Sequence, residues 1–451
     1  MMKTTLIQDA SIVNEGQMFQ GSVLIEGERI VHIYKGDDTP SLSVMESLDE
    51  LIDARGKYLM PGLIDTHVHF RDPGLTHKAD MQSESKAAIA GGVTSFIDMP
   101  NTQPQTTTIA EWQAKMDHAA QTSYANYACY LGATNENLDE LLAADYTQVP
   151  AVKLFMGSST GNMLVDDEHS LMRLFTEVPA LIAVHCESEA QIKANKAKYL
   201  QEVGEDLPVE YHSLIRDDEV CFQSTALAVS MARKYDTRLH VMHISTEKEL
   251  ALFDGDKALK DKKITAETCP HYLLLCDEDY ARYGSRIKCN PALKHASDKA
   301  AVLAALKSGR IDTLGSDHAP HLLSEKQGNA LTAVSGCPSV QFNLLLLLEM
   351  SRENALAKSL IVEKFCHAPA DLYRIQDRGY LREGYYADMV LLEECPAWVL
   401  EKQDVLSKCA WSPFEGWTFH HRVCQVFING GKAYENGRFA ATSAKNLIFK
   451  N

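Results

Sequence analysis

The chain has 451 residues, 45% of them hydrophobic and 23% charged, with a formal net charge of −17. Length and composition fit a soluble globular protein of two or three domains, or one large barrel with an attachment. So acidic a chain argues against nucleic acid and anionic membranes as main partners, although a local arginine or a metal can still hold an anionic substrate. The eleven cysteines include no Cys-x-x-Cys pair and several lie in apolar runs, as small buried hydrophobes do. Their odd number, and an N-terminus that leads from Met1-Met2-Lys3 into a strand pattern rather than a targeting core, predict a reducing, cytoplasmic location. The longest apolar run, residues 344–348, is far too short to span a bilayer.

Short strands come first in the chain. Residues 5–7, 10–13, 21–25 and 29–33 are strand-like, and Glu26-Gly27-Glu28 turns the last two into a hairpin. Near the C-terminus, residues 387–392 and 423–428 repeat the pattern, the second running through Asn429-Gly430-Gly431 into Lys432-Ala433-Tyr434. Neither end is large enough for a core of its own, so residues 1–55 and 380–451 are expected to join as one small β-sandwich domain. Between them strand and helix patterns alternate. The predicted strands are residues 58–70, 93–100, 126–132, 151–157, 181–187, 238–245, 264–272 and 311–317. The predicted helices include 77–90, 109–120, 217–235 and 339–354. In the third, Val220, Phe222, Leu227 and Met231 read as the dry side, opposite Glu219, Gln223, Ala226 and Ser230. Eight strands with helical crossovers predict a (β/α)8 barrel over residues 56–379. A doubly wound open sheet would show a Gly-rich phosphate loop after its first strand, and there is none.

Barrel enzymes carry their chemistry at the C-terminal ends of the strands. The first strand ends in His67, His69 and Arg71, spaced to share a face with Asp65. The second ends in Asp98 and Asn101, the fourth contains Lys153, the fifth ends in His185, the sixth in His243 and the eighth in Asp317. Four histidines and an aspartate, each closing an apolar strand, predict a metal site, and the mixed donor set suits Zn2+ best. Lys153 lies inside the apolar run Val152-Lys153-Leu154, where burial lowers an amine pKa and makes it nucleophilic. Such an amine can add CO2 and become a carbamate, an anion able to bridge two metals. Arg71, beside the histidines, is placed to hold an anionic substrate.

Two motifs then carry a resemblance across nearly the whole chain. They are Asp65-Thr66-His67-Val68-His69-Phe70-Arg71-Asp72-Pro73-Gly74 and Gly315-Ser316-Asp317-His318-Ala319-Pro320-His321. With Met99-Pro100-Asn101-Thr102, His185-Cys186-Glu187, His243-Ile244-Ser245 and Lys288-Cys289-Asn290-Pro291 between them, the sequence resembles the cyclic amidohydrolases, and most closely the dihydroorotases. The resemblance implies two Zn2+ per subunit, one on His67, His69 and Asp317 and the other on His185 and His243, bridged by carbamylated Lys153 and a hydroxide. It implies Asp317 as general acid and base, and Arg71, Asn101, Asn290 and His321 as substrate contacts. The implied reaction is the reversible cyclisation of N-carbamoyl-L-aspartate to dihydroorotate, in a homodimer. Some relatives bridge the metals with an aspartate, and Asp166 and Asp167 keep that variant open. Glu267, His271 and His318 are expected to orient ligands, and His420 and His421 to be structural. Residues 322–338 read either as a lid or as an ordinary connection. The competing readings are an allantoinase or hydantoinase-type enzyme, and a non-catalytic relative serving as a scaffold.

Overall fold

A computed structural model describes residues 2–157 and 163–450. Five strands open the chain: β1 (Thr4–Asn14), β2 (Gln17–Glu26), β3 (Arg29–Lys35), β4 (Glu50–Asp53) and β5 (Lys57–Pro61). The barrel strands follow: β6 (Leu63–Val68), β7 (Val93–Asp98), β8 (Asn126–Cys129), β9 (Leu131–Gly132), β10 (Val152–Phe155), β11 (Ile182–His185), β12 (Leu239–Val241), β13 (Ile264–Thr268) and β14 (Thr313–Leu314). Four more complete the set: β15 (Met389–Val399), β16 (Thr418–Ile428), β17 (Gly431–Glu435) and β18 (Arg438–Phe439).

β6 to β8 pair in parallel, and β9 to β14 form a second parallel run. β8 and β9 are two pieces of one barrel position, interrupted at Tyr130, whose amide still bonds to the Asp98 carbonyl. Closure comes where Val68 bridges His318 in parallel and the His69 amide donates to the His318 carbonyl at 2.8 Å. The expected (β/α)8 barrel is therefore present. Strand alternation sorts its apolar residues. Leu63, Phe96, Cys129, Ile182 and Val184 face the helices; Ile64, Ile97, Ala128 and Ala183 face inward with Tyr373, Ile375 and Phe449. Lys153, between outward-facing Val152 and Leu154, has inward parity, as does His185.

The terminal strands meet in one nine-stranded mixed sheet, ordered β18-β17-β16-β15-β5-β1-β2-β3, with β4 also on β1. β1 divides its edge: Thr5–Gln8 pairs with β4, and Ser11–Ile12 with β5. The single strand expected over residues 58–70 is two strands. Lys57–Pro61 belongs to the mixed sheet and Leu63–Val68 to the barrel, with the break at Gly62. A Cβ at Gly62 would lie 2.1 Å from Thr94 Oγ1, so only glycine allows the crossing. We propose the domain division 1–55 with 380–451 against 56–379, with β5 lent from the barrel segment to the sheet.

Two further expectations shift. The strand expected to 272 stops at Thr268, because Pro270 opens a helix, Pro270–Leu274, and proline suits a first helical turn. The helix Asp218–Tyr235, capped by Asp217, buries Val220, Cys221, Ser224, Thr225, Ala228, Val229 and Ala232. Leu227 is exposed and Phe222 and Met231 are half-buried, so the dry side is built of small residues that let the helix pack close. No helix among the described residues is long and apolar enough to cross a membrane.

One buried pair fixes the entrance to the site. Asp98 accepts the Phe70 amide at 2.8 Å and pairs with Lys115 at 2.6 Å, both side chains essentially solvent-free. Burial pushes the Asp98 carboxyl up, and Lys115 opposes that shift. Lys115→Met leaves the carboxylate buried without its cation, which costs roughly 3–5 kcal/mol. A urea titration showing less than ~1 kcal/mol of loss would remove this pair from the framework.

Candidate metal centre

His67, His69 and Asp317 converge at the mouth of the barrel. Asp317 Oδ1 lies 3.2 Å from Nε2 of each histidine. The opposite ring nitrogens are engaged: His67 Nδ1 with Glu267 Oε1 at 2.7 Å, and His69 Nδ1 with Asn101 Oδ1 at 2.8 Å. A carboxylate and an amide oxygen only accept, so both Nδ1 atoms carry the proton. Both Nε2 lone pairs then aim at an aspartate oxygen. Three such donor atoms within 4.8 Å of one another could hold a metal ion. Burial pulls the His67 pKa down, but Asp317 and Glu267 outweigh it and raise it to about 9, so a proton holds that position in the protein alone. Burial keeps His69 neutral, at about 4. Asp317 stays ionised well below the carboxylate range, because His67 and His69 overcome its burial.

Across the mouth, His185 Nδ1 and His243 Nε2 lie 2.9 Å apart. Burial holds both imidazoles neutral, as metal ligands must be. The His67 and His243 rings are 5.3 Å apart, so the two groups share one space. Lys153 is 1% exposed and donates to Met242 Sδ at 2.9 Å, a weak acceptor for an ammonium. Burial lowers its pKa to about 8 against the pull of Glu267 and Asp317. The donor set fits two metal ions: two histidines and a carboxylate on one side, two histidines on the other, and a reactive buried amine. Arg71, His243 and Asp317 all have positive φ, at 65°, 43° and 46°. Left-handed backbone is costly for such side chains and concentrates at functional sites.

Beside this group lies a cationic pocket. Arg71 is 2% exposed, its Nε donates to the Pro320 carbonyl at 3.1 Å, and its Nη2 meets His321 Nε2 at 3.0 Å. Nη1 is buried with no partner among the described residues. Asn101 joins this pocket to the metal group through His69. Asn290 is half-buried and its Oδ1 has no partner among the described residues.

The strict alternation expected of Asp65, His67, His69 and Arg71 does not survive. β6 changes register against β7 twice, and Thr66 and His67 both reach Glu267. β6 ends at Val68, so His69 and Arg71 project from the loop beyond it. Asp65 turns back to accept the Ser316 and His67 amides. Glu267 is an orienting residue: burial raises its pKa, but His67 and His240 bring it down to about 2. Gly315 makes room for it, since a Cβ there would sit 2.6 Å from Oε2. His318 bonds Glu84 and the Ser339 and Val340 amides, bracing the barrel wall. The His271 Nε2 is buried without a partner among the described residues. His420 and His421 pair with Glu349, in a structural role. Asp166 and Asp167 are exposed, and Asp167 caps a helix. Residues 322–338 are pinned: buried Lys326 donates to the carbonyls of Lys288, Val334 and Gly336. The sequence assigns no role to two contributors, although one of them, Glu187, stands in the His185-Cys186-Glu187 motif. Glu187, two residues beyond His185, lies 3.1 Å from its Nε2 and pairs with Arg216. Trp411 donates to the His321 carbonyl at 2.7 Å from a distant segment with no local signature.

A model of the amidohydrolase family matches residues 58–432. The chain belongs to the amidohydrolase family. Among curated relatives it is 32% identical to a dihydroorotase of Geobacter metallireducens, over 95% of this chain and 99% of that one. It is 31% identical to a dihydroorotase of Methanosarcina acetivorans, over 91% and 88%. It is 29% identical to an allantoinase of Bacillus velezensis, over 100% and 98%. The fold matches that of an L-hydantoinase (dihydropyrimidinase) from Arthrobacter aurescens, with a TM-score of 0.91 and 24% identity over 99% and 100% of the chains. Amidohydrolases typically bind a binuclear metal centre, and the converging donors here fit one.

Lys153 sets a pH test for this amidohydrolase. Its pKa is lowered, so the neutral amine that reacts with CO2 accumulates as pH rises through about 8. Chelator-stripped enzyme given zinc and bicarbonate should recover activity several-fold faster above pH ~8 than about two units below it. Recovery independent of pH and bicarbonate would contradict a carbamate.

Proposed function

We propose that this amidohydrolase is a zinc-dependent dihydroorotase. Its reaction adds water across the ring amide of dihydroorotate, breaking the C–N bond to give N-carbamoyl-L-aspartate, and runs in reverse to close the ring with loss of water. One observation carries the reading. Arg71 is a buried guanidinium beside the metal group, with an unpartnered Nη1 and no carboxylate bound to it among the described residues. Burial lowers its pKa to about 10, a mark of desolvation that a bound anion would reverse. A neutral ring offers nothing to offset that cost, whereas the dihydroorotate carboxylate does.

The proposed metal ligands are His67, His69 and Asp317 for one Zn2+ and His185 and His243 for the other, with carbamylated Lys153 between. Bound there, the two ions would lower the pKa of water to supply hydroxide near neutral pH and polarise the amide carbonyl. Glu267 and Asn101 hold the Nδ1 protons of His67 and His69, which keeps both Nε2 lone pairs facing inward. Asp317, ionised, would take a proton from the attacking water and return it to the leaving ring nitrogen. Arg71 and His321 would grip the carboxylate with Asn101, and the Asn290 Oδ1 would accept a ring N–H.

A cyclic amidase for an uncharged ring is the second reading, favoured by the full-length match to the allantoinase. Comparing kcat/KM for dihydroorotate, dihydrouracil and allantoin separates them. Dihydroorotate should dominate, and Arg71→Gln should cut its kcat/KM by about 10^3-fold with zinc content unchanged. Turnover of dihydrouracil or allantoin alone would overturn the proposal.

A further inference from the structure

His321 is buried between two cations. Its ring is 0% exposed, with Arg71 Nη2 3.0 Å from Nε2 and Lys78 Nζ 3.1 Å from Nδ1. Lys78 also pairs with Glu325 Oε1 at 2.7 Å, and Glu325 Oε2 is 3.7 Å from His321 Nδ1. Glu325 is itself fixed. It accepts the Leu322 amide at 2.8 Å, and its neighbour Lys326 is the residue anchored by three carbonyls.

Burial, then Arg71 and Lys78, hold the imidazole neutral. A neutral imidazole has one N–H and one lone pair. Arg71 and Lys78 are both donors, so only one of these two contacts is a hydrogen bond. In the other, N–H faces N–H. Lys78 decides which. Both cations call for a lone pair, but the Lys78 ammonium is a compact charge where the Arg71 guanidinium is delocalised, which favours the lone pair on Nδ1, and Lys78 is nearer to Nδ1 than Glu325 and engages that carboxylate itself. The proton then sits on Nε2, facing Arg71 Nη2. Nε2–H, Nη2–H and the unpartnered Nη1 form one set of donors without an acceptor. An anionic oxygen accepting from these donors relieves the opposition.

We propose that Lys78 is a positioning residue: it fixes the tautomer of His321 so that Nε2–H joins Arg71 in binding the substrate carboxylate. The proposal rests on the reading of Arg71 and His321 as the carboxylate site. With Lys78 removed, Glu325 faces Nδ1 and draws the proton there. Nε2 then accepts from Arg71, and the pocket has lost one donor and turned a lone pair toward the carboxylate.

Two measurements test it. In 15N-histidine-labelled protein without substrate, the His321 signals, assigned by their loss in His321→Gln, should report Nε2–H in the wild type and Nδ1–H in Lys78→Met. This arm needs no turnover, so it stands or falls apart from the assigned reaction. In kinetics, Lys78→Met should raise KM for dihydroorotate about 10-fold or more and change kcat less than about 3-fold, with zinc content intact and Lys78→Arg restoring KM. Nδ1–H in the wild type, or a tautomer and KM unmoved in Lys78→Met, would overturn the proposal. If Lys78→Met does not fold, the wild-type tautomer and the Lys78→Arg KM decide it.

Discussion

The structure turns on a cost of burial. Closing the parallel barrel brings the C-terminal ends of β6, β11, β12 and β14 around one axis, and with them His67, His69, His185, His243 and Asp317, each at most 9% exposed. Lys153 enters the same space from β10. Polar groups so buried are tolerated only when they satisfy one another or hold an ion. Here the outer nitrogens of His67 and His69 are satisfied by Glu267 and Asn101, while their inner nitrogens meet an aspartate oxygen. The orienting contacts therefore define the centre as much as the ligands do. The left-handed backbone at His243 and Asp317 is a further cost, borne by the closed barrel that surrounds it.

That frame is shared with enzymes named for different activities. Dihydroorotases, an allantoinase and hydantoinases all match this chain over most of its length. A metal group alone thus says little about which ring is bound. The wall beside it, where Arg71 and Lys78 set two cations against the neutral His321 ring in a chain whose net charge is −17, is what we propose selects the ring. Lys115 and Asp98 hold the loop that bears Arg71 through the Phe70 amide, so the pocket inherits its rigidity from the barrel core.

Much of this was legible in the sequence, for a physical reason. A charged or imidazole side chain closing a buried apolar strand is costly, and five such residues at the ends of four strands stand out. The (β/α)8 order was legible because hydrophobic period changes at each crossover. What was not legible depended on tertiary contact. The register changes in β6 undo simple alternation at Thr66 and His67. The helix Asp218–Tyr235 packs through Val220, Val229 and smaller residues such as Ser224, Thr225 and Ala228, so side-chain size does not mark its buried face and Leu227 is exposed. Trp411 reaches His321 across 90 residues, and Lys78 gains its meaning only from the ring it faces.

In the proposed centre, two metals sit in the barrel mouth joined through Lys153. The most direct measurement is a crystal structure of zinc-loaded enzyme with anomalous diffraction recorded at the zinc edge. Two anomalous peaks are expected, one at His67, His69 and Asp317 and one at His185 and His243, with density extending from Lys153 Nζ between them. A single peak at the first group, with Lys153 Nζ unmodified against Met242, would contradict it.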